Sequence, residues 1–595
     1  MRRGETSSLG RICPSGARKP LILQRGGGPI LAPLEPSDDG GLASTLLGPS
    51  GTPRPSTTAD ATSEDAEPSN MKVLFLNEFL PQEMLGIMWL STAMKAAGHE
   101  TKALFLPDKE WIGKIQEYDP DVVCFSVTTG MHLYFADINR KVKAALPNVF
   151  SIAGGPHPTF SPEYLEQGDF DAICRGEGEE AMAEMLNLME AGEDISNVLN
   201  LWVRDKESGE VAKNCQRPLT QNLDELGFPD RDVIYEAGDI YANSDRKVFV
   251  TQRGCPMNCS FCFHHAWKKK VYDAKNKEYT RKRSVDHVIA EIKAVQAKYP
   301  LKFVHFLDDI FNLRNDWLEE FCEKYPKEIG LPFDVILMAN MTTEKHIKLL
   351  KKAGCVYARI AIEAASDYVR NAVFRKNTTR QQLTDAAAWI RQEGIRLGTL
   401  NMLGGPGGTM EDELDTLRLN IECKAQHPLV SIMQPYPEFD IADMTRDMGY
   451  AVAGYNDFPQ KFNRTSSIEF ENKYQIENLH KLFPIVSRMP WLMPMVPRLI
   501  KQRWLAKPYL ISYMLFSEWM VAEQAKLYAN AQGLAGLRYW APIDFARRLA
   551  TKGVLRVYEA VFARFIDRFT KDGGKGSQAA IKLQMGDERV IAHMD

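Results

Sequence analysis

Three cysteines share one short stretch, Cys255-Pro256-Met257-Asn258-Cys259-Ser260-Phe261-Cys262, in a C-x3-C-x2-C spacing. Three thiolates on one loop can hold three irons of a [4Fe–4S] cluster, whereas an ordinary ferredoxin site gives four cysteines to each cluster. One iron is then left for another ligand, and an open position on a redox metal is where catalysis occurs. The alternative reading is a structural zinc site with His264 or His265 as fourth ligand. Placement favours iron, because the run follows a strand and opens a long β/α series rather than a small zinc module.

That series must position the thiols. Strands are predicted at 248–252, 303–307, 335–338, 357–362, 397–402 and 430–433, with amphipathic helical stretches between them. Roughly six β/α units are too few for the usual closed eight-stranded barrel, so an open, partial (β/α)6 barrel is expected, with its site at the strand carboxyl ends. An earlier alternation begins abruptly at Met71, with strands predicted at 72–77, 102–105, 121–126, 150–153 and 172–175. It implies a Rossmann-like, doubly wound parallel sheet. Its strand-to-helix turns carry Ser126-Val127-Thr128-Thr129-Gly130, Gly154-Gly155-Pro156-His157 and Gly176-Glu177-Gly178-Glu179, small residues where such sheets bind ligands.

The expected organisation is a disordered segment over 1–70, a Rossmann-like domain over 71–205, a Pro-punctuated linker over 206–245, the partial barrel over 246–435 and a mainly helical region over 436–595. Residues 1–70 are rich in Gly, Pro, Ser and Thr, and Met71 is as good a start as Met1. The last region interleaves Trp491, Trp504, Trp519 and Trp540 with basic residues, and reads as the strongly basic part of the chain. It is expected to be a helical cap, with attachment to a membrane surface as the other reading. The whole chain has 595 residues, 73 Lys and Arg against 77 Asp and Glu, and formal charge −4, so no global field would hold nucleic acid. Its 10 cysteines are mostly scattered, which excludes a disulfide framework, and no run is apolar enough for a membrane span, so a cytoplasmic protein is expected.

The cysteine run, with aromatic Phe261 before its last cysteine and at the top of the first barrel strand, resembles the radical S-adenosylmethionine (SAM) superfamily. The preceding domain resembles the cobalamin-binding domain of its B12-dependent class, and the resemblance covers about residues 71–435. It implies that Cys255, Cys259 and Cys262 ligate the cluster, that SAM chelates the fourth iron, and that Phe261 packs near the adenine. Asp308 and Asp309 would meet the SAM amine, Glu363 its ribose, and the backbone at Gly404 and Gly405 the nucleoside. A helix-capping acid pair, an ion pair at the core edge and a bare tight turn are the structural readings of those three segments. Ser126, Thr128, Gly154, Gly155, Gly176 and Glu177 would cradle cobalamin. Two departures stand out: Gly408 occupies the place where relatives often carry Glu, and Ala364 follows Glu363 where they often carry Ser. An Asp-x-His-x-x-Gly signature for a histidine beneath cobalt is absent, and His157 is a contact candidate at most.

The resemblance implies reductive cleavage of SAM to a 5′-deoxyadenosyl radical that attacks an unactivated carbon. C-methylation of a small molecule, lipid or natural-product intermediate is the expected outcome. The alternatives are a non-methylating cyclisation or rearrangement, as in the anaerobic magnesium-protoporphyrin ester cyclase, and a non-catalytic cobalamin sensor, against which the intact cysteines speak. A methylthiotransferase would need another cysteine triad before Cys255. The partners implied are the substrate and an electron donor such as flavodoxin or ferredoxin.

Overall fold

The computed structural model describes residues 70–529, except Pro81, Pro107, Lys109 and residues 459–464. The N-terminal stretch up to residue 69, and the end of the helical region from 530 onward with Trp540, lie outside the described residues.

The first sheet contains β1 (Lys72–Glu78), β2 (Glu100–Leu106), β3 (Val122–Ser126), β4 (Phe150–Gly154), β5 (Ala172–Cys174), β6 (Leu201–Arg204) and β7 (Val211–Lys213). Its order is β2-β1-β3-β4-β5-β6-β7, parallel through β5 and antiparallel for the last two strands. Five consecutive residues of β1, Val73 to Leu76 and Asn77 excepted from apolarity, are buried on both faces, which is why this strand reads as a continuous apolar run and not as an alternation. The chain runs from β1 to β2 on one side and then to β3 on the other, so the strand order reverses between β1 and β3 and leaves a crevice at their carboxyl ends.

The second sheet contains β8 (Arg246–Phe249), then, after a two-residue hairpin pair β9 (Gln252–Arg253) and β10 (Arg281–Lys282), β11 (Phe303–Phe306), β12 (Phe333–Leu337), β13 (Cys355–Glu363), β14 (Arg396–Leu403) and β15 (His427–Ile432). The order β15-β14-β13-β12-β11-β8 is sequential and all parallel, the topology of a partial barrel in which each β/α unit adds its strand to the same edge. Helices behind it are fixed at their starts by side chains: Ser284 accepts from the His287 N–H, and Thr379 and Thr409 form capping boxes with Gln382 and Asp412. Phe306, Phe311, Phe321, Tyr325 and Phe333 fill the space between sheet and helices.

The first strand of the barrel differs from its predicted span of 248–252. It ends at Phe249, because the N–H groups of Thr251 and Gln252 turn inward to Asp308 and Gln252 joins the separate hairpin. The exposed end of the sheet at β15 is covered by the helix Lys473–Arg488, whose Leu479 and Phe483 pack with Leu403 and Ile432, and whose His480 is hydrogen-bonded to the Val430 carbonyl. The linker is bolted to both units by one buried arginine. Arg231 pairs with Glu83 beside the first sheet and Glu291 behind the second, and donates to the Val248 carbonyl at 2.7 Å.

Candidate functional site

The cysteine loop leaves β9 through Gly254, whose φ is +84°. A Cβ there would lie 2.2 Å from the carbonyl oxygen of Tyr279, so this position requires glycine for both conformation and space. Farther on, the loop is pinned to the rest of the barrel at Ser260: its N–H donates to the Phe374 carbonyl, its hydroxyl to the Val373 carbonyl, and its own carbonyl accepts from the Ile441 N–H. Cys255 and Cys259 are buried and Cys262 partly so. Burial pushes the Cys255 thiol up to about 11 and the Cys262 thiol up to about 12, so metal binding would have to displace their protons. Two lysines stand near these sulfurs. Lys268 donates to the Pro256 carbonyl and to Asn258, both in the loop. Burial opposes a charge on Lys376, but Glu363 and then Cys259 outweigh it and raise its pKa.

The histidines suggested as a fourth zinc ligand are engaged elsewhere. His264 is hydrogen-bonded to the Tyr279 hydroxyl at 2.8 Å and to Asp309 at 2.7 Å, and His265 to Asp440 at 3.0 Å. Among the described residues, no group of three or more His, Cys, Asp and Glu is gathered closely enough for a single metal ion. With both histidines taken, the donor chemistry fits a three-thiol cluster site better than a four-ligand zinc site, since three soft sulfurs share one loop with two cations to offset negative charge.

The two aspartates that follow β11 are put to different uses. Asp308 is buried and accepts from the Thr251 N–H at 2.9 Å, the Thr251 hydroxyl at 3.0 Å and the Gln252 N–H at 2.8 Å, which fixes the entry to the cysteine loop. Burial pushes its carboxyl up to about 6, with Lys282 and these donors opposing. Asp309 is exposed and holds His264. Phe261 is half-buried and meets Phe374 edge to face at 5.2 Å.

Glu363 ends β13 with φ +61°, a left-handed conformation that costs a non-glycine residue, where the register with β14 slips. Its carboxylate is buried and paired with Lys376 at 3.1 Å, so the strain carries an acid and its cation toward the cysteine loop. At the end of β14, the Gly404 N–H donates to Glu413 at 2.8 Å. A Cβ at Gly408 would stand 3.0 Å from the Gly405 carbonyl oxygen and 3.1 Å from Val369. The turn thus has little room for a side chain at Gly408, and the following helix brings a carboxyl group to it through Glu413.

On the first sheet, Ser126 and Gly154 end β3 and β4, Thr128 and Gly155 come just after them, and Gly176 and Glu177 follow β5, with Ser126 and Thr128 exposed. A cavity of about 390 Å³ opens there, lined by Gly86 and Trp89 on the helix after β1, by Ser126, Gly154, Gly155 and Gly176 at the strand ends of the first sheet, and from the barrel by Gly254, His264, Trp267, Asp308 and Asp309. A Cβ at Gly86 would meet nothing within 4 Å, so this wall of the cavity is open. Thr128 is not among the lining residues. His157 is not among them either: it is fully buried, stacked on His132 at 4.1 Å and bonded to Thr129, and burial drives its pKa down to about 3. Cys124 and Cys174 are buried core residues of this sheet that also line the cavity.

Glu177 does more than line the cavity. Its carboxylate takes two hydrogen bonds from Arg281, at 2.9 and 2.6 Å, and lies 3.6 Å from Arg253, while Glu179 pairs with Arg253 at 2.6 Å. Burial alone would raise the Glu177 pKa, but the two guanidiniums outweigh it and lower it. Arg253 is on β9, which runs directly into Cys255, and Arg281 is on its antiparallel partner β10, so the turn after β5 of one sheet is latched to the strand pair that flanks the cysteine loop of the other. Sequence reasoning missed Arg253, Arg281, Lys376, Lys268 and Glu413. The basic run from Lys268 to Arg283, eight Lys and Arg against two acids, was the visible signal, and it corrects the expectation that the C-terminal region alone is strongly basic.

Comparison with known proteins identifies the same two units. Residues 249–419 match the family model of the Radical SAM superfamily, and residues 72–186 that of the B12 binding domain. An uncharacterized methyltransferase of Pyrococcus horikoshii is 30% identical over 346 residues, spanning 57% of this chain and 71% of the relative. The anaerobic magnesium-protoporphyrin IX monomethyl ester cyclase of Rubrivivax gelatinosus is 26% identical over 400 residues, spanning 64% of this chain and 69% of the relative. Among solved structures, the cobalamin-dependent S-adenosylmethionine radical enzyme OxsB, with aqua-cobalamin and S-adenosylmethionine bound, shares the fold with a TM-score of 0.58 at 16% identity, covering 87% of this chain and 83% of that one.

Proposed function

This chain belongs to the cobalamin-binding radical SAM enzymes, and on that premise we propose that it methylates an unactivated carbon of a small molecule, lipid or natural-product intermediate. When bound, a [4Fe–4S] cluster supplies the electron for reductive cleavage of SAM, and cobalamin supplies a methyl carrier. In this reading Cys255, Cys259 and Cys262 hold three irons, and Lys268 and Lys376 offset the charge of the thiolates. Glu363 and the backbone at Gly404 and Gly405 orient the nucleoside, while Asp308 acts mainly by fixing the loop through Thr251 and Gln252. Ser126 and the glycines after β4 and β5 receive the corrin. We take 71–205 as the corrinoid unit, 246–435 as the SAM unit and the cytoplasm as the compartment.

The observation that supports the reading is the latch: Glu177 on the cavity-lining turn of the first sheet is bonded to Arg281 on β10, the strand paired with β9, from which the cysteine loop leaves. Two cofactors held this way face one space with their separation fixed, which is what proximity catalysis needs. Anaerobic reconstitution with iron, sulfide and hydroxocobalamin tests it. About four irons and one corrinoid per chain are expected, and Cys259→Ala should lose the iron and keep the corrinoid. Methylation predicts S-adenosylhomocysteine beside 5′-deoxyadenosine. The similarity to the ester cyclase favours a second reading, a non-methylating oxidation, in which 5′-deoxyadenosine alone would accumulate.

A further inference from the structure

Resting on the reading above, we propose that the lysine-rich rim outside the cysteine loop is the docking surface for a small acidic one-electron donor protein. Electron tunnelling falls steeply with distance, so a donor must seat where little protein separates it from the buried cysteines. Asn258 is such a place: it is exposed, while Cys255 and Cys259 on either side of it are buried. A recess of about 570 Å³ opens beside it, with Lys268, Lys269, Lys275 and Lys277 in its lining against Asp273 and Glu278. Glu278 is turned back onto the Lys275 N–H at 3.1 Å, which weakens its opposition to the lysines.

Lys268 joins this rim to the loop. Its ammonium donates to the Pro256 carbonyl at 3.2 Å, to Asn258 at 2.9 Å and to Asn276 at 2.6 Å, so the segment bearing Lys275 and Lys277 is stitched to the residues between the cysteines. Lys269 is 59% exposed although it lies 3.7 Å from the mostly buried Asp440, and Lys275 and Lys277 are exposed as well. The chain as a whole carries a formal charge of −4, so an acidic protein gains no general attraction, and a local cationic rim decides where it lands. In the step served by this contact, one electron leaves the donor, which is oxidised by one, and enters the cluster, which is reduced by one. No bond forms or breaks.

The test reads binding before activity. Flavodoxin is titrated onto the purified full-length chain at low ionic strength, without any cofactor loaded, and compared with Lys269→Glu/Lys275→Glu/Lys277→Glu and with Lys345→Glu/Lys348→Glu, a charge reversal of equal sign on an exposed helix elsewhere. The rim variant is expected to bind about tenfold or more weakly, the control as the wild type does, and added salt to erase the difference. In reconstituted enzyme the rim variant should cleave SAM at the wild-type rate with dithionite and lose flavodoxin-supported cleavage. Equal flavodoxin binding by rim variant and wild type overturns the docking proposal, and so does equal loss with both reductants, because the lysines would then act on the cofactors. Failure of the wild type itself to cleave SAM with dithionite overturns the functional reading beneath it instead.

Discussion

Arg281 and Glu177, 104 residues apart in sequence, face each other through two charge-assisted hydrogen bonds of 2.9 and 2.6 Å between the two sheets. Arg281 is almost wholly buried and Glu177 is shared with Arg253, so the pair closes the two units onto one another around the cavity.

Arg281→Met should therefore destabilise the chain by about 3–5 kcal/mol, because it leaves a carboxylate with one poorly placed cation in a buried setting. Calorimetric unfolding measures it, and corrinoid retention on gel filtration should fall in parallel. A loss below about 1 kcal/mol, the level of an exposed ion pair, would mean that the latch does not hold the units.

Gly254→Ala tests the entry to the cysteine loop. The new Cβ must move away from the Tyr279 carbonyl oxygen at 2.2 Å, and a backbone atom at the end of the helix Asn276–Tyr279 cannot yield cheaply. Together with the φ of +84°, this predicts on the order of 2–4 kcal/mol of destabilisation, with the loop displaced and iron per chain reduced after reconstitution. Full iron loading in the variant would show that the loop tolerates the shift.

The two sheets were legible because strands such as β1, β3, β4 and β11 are buried on both faces and so read as apolar runs, and the cysteine spacing named its own chemistry. What sequence could not show is pairing at long range. Glu177 lies in a turn whose small residues suggested a cofactor, yet its carboxylate is taken by an arginine one sheet away. Asp308 and Asp309 look like one acidic motif, but adjacent residues on an extended segment point apart, so one is buried under the cysteine loop and the other is exposed beside His264. Lys376 follows no motif at all. Its meaning appears only when β13 ends on a strained Glu363 that needs a partner.

That pair separates cofactor from cluster. Glu363→Gln keeps the side chain's size and hydrogen bonding but removes the charge, and it should weaken SAM retention about tenfold in equilibrium dialysis while leaving iron per chain unchanged. Lys376→Met removes the cation that acts on Cys259 and Cys262, and should lower iron content instead. The opposite pattern would assign the acid to the cluster loop and the lysine to SAM.

Glu413 gives the pH dependence a definite sign. Burial pushes its carboxyl from 4.5 up to about 8, against the Gly404 N–H that favours the ionised form. Between those two pH values the folded chain holds a proton that the unfolded chain has already released, so stability falls as pH rises through this window. Below about pH 4.5 both states are protonated and the group costs nothing. Glu413→Gln keeps an oxygen to accept from Gly404 and removes the ionisable proton, so it should raise the melting temperature near pH 8 by several degrees and change it little near pH 5. Melting curves of both proteins across that range check the slope. A variant that melts below the wild type at pH 8 would mean that the carboxylate, and not the acid, is the form the turn at Gly404 requires.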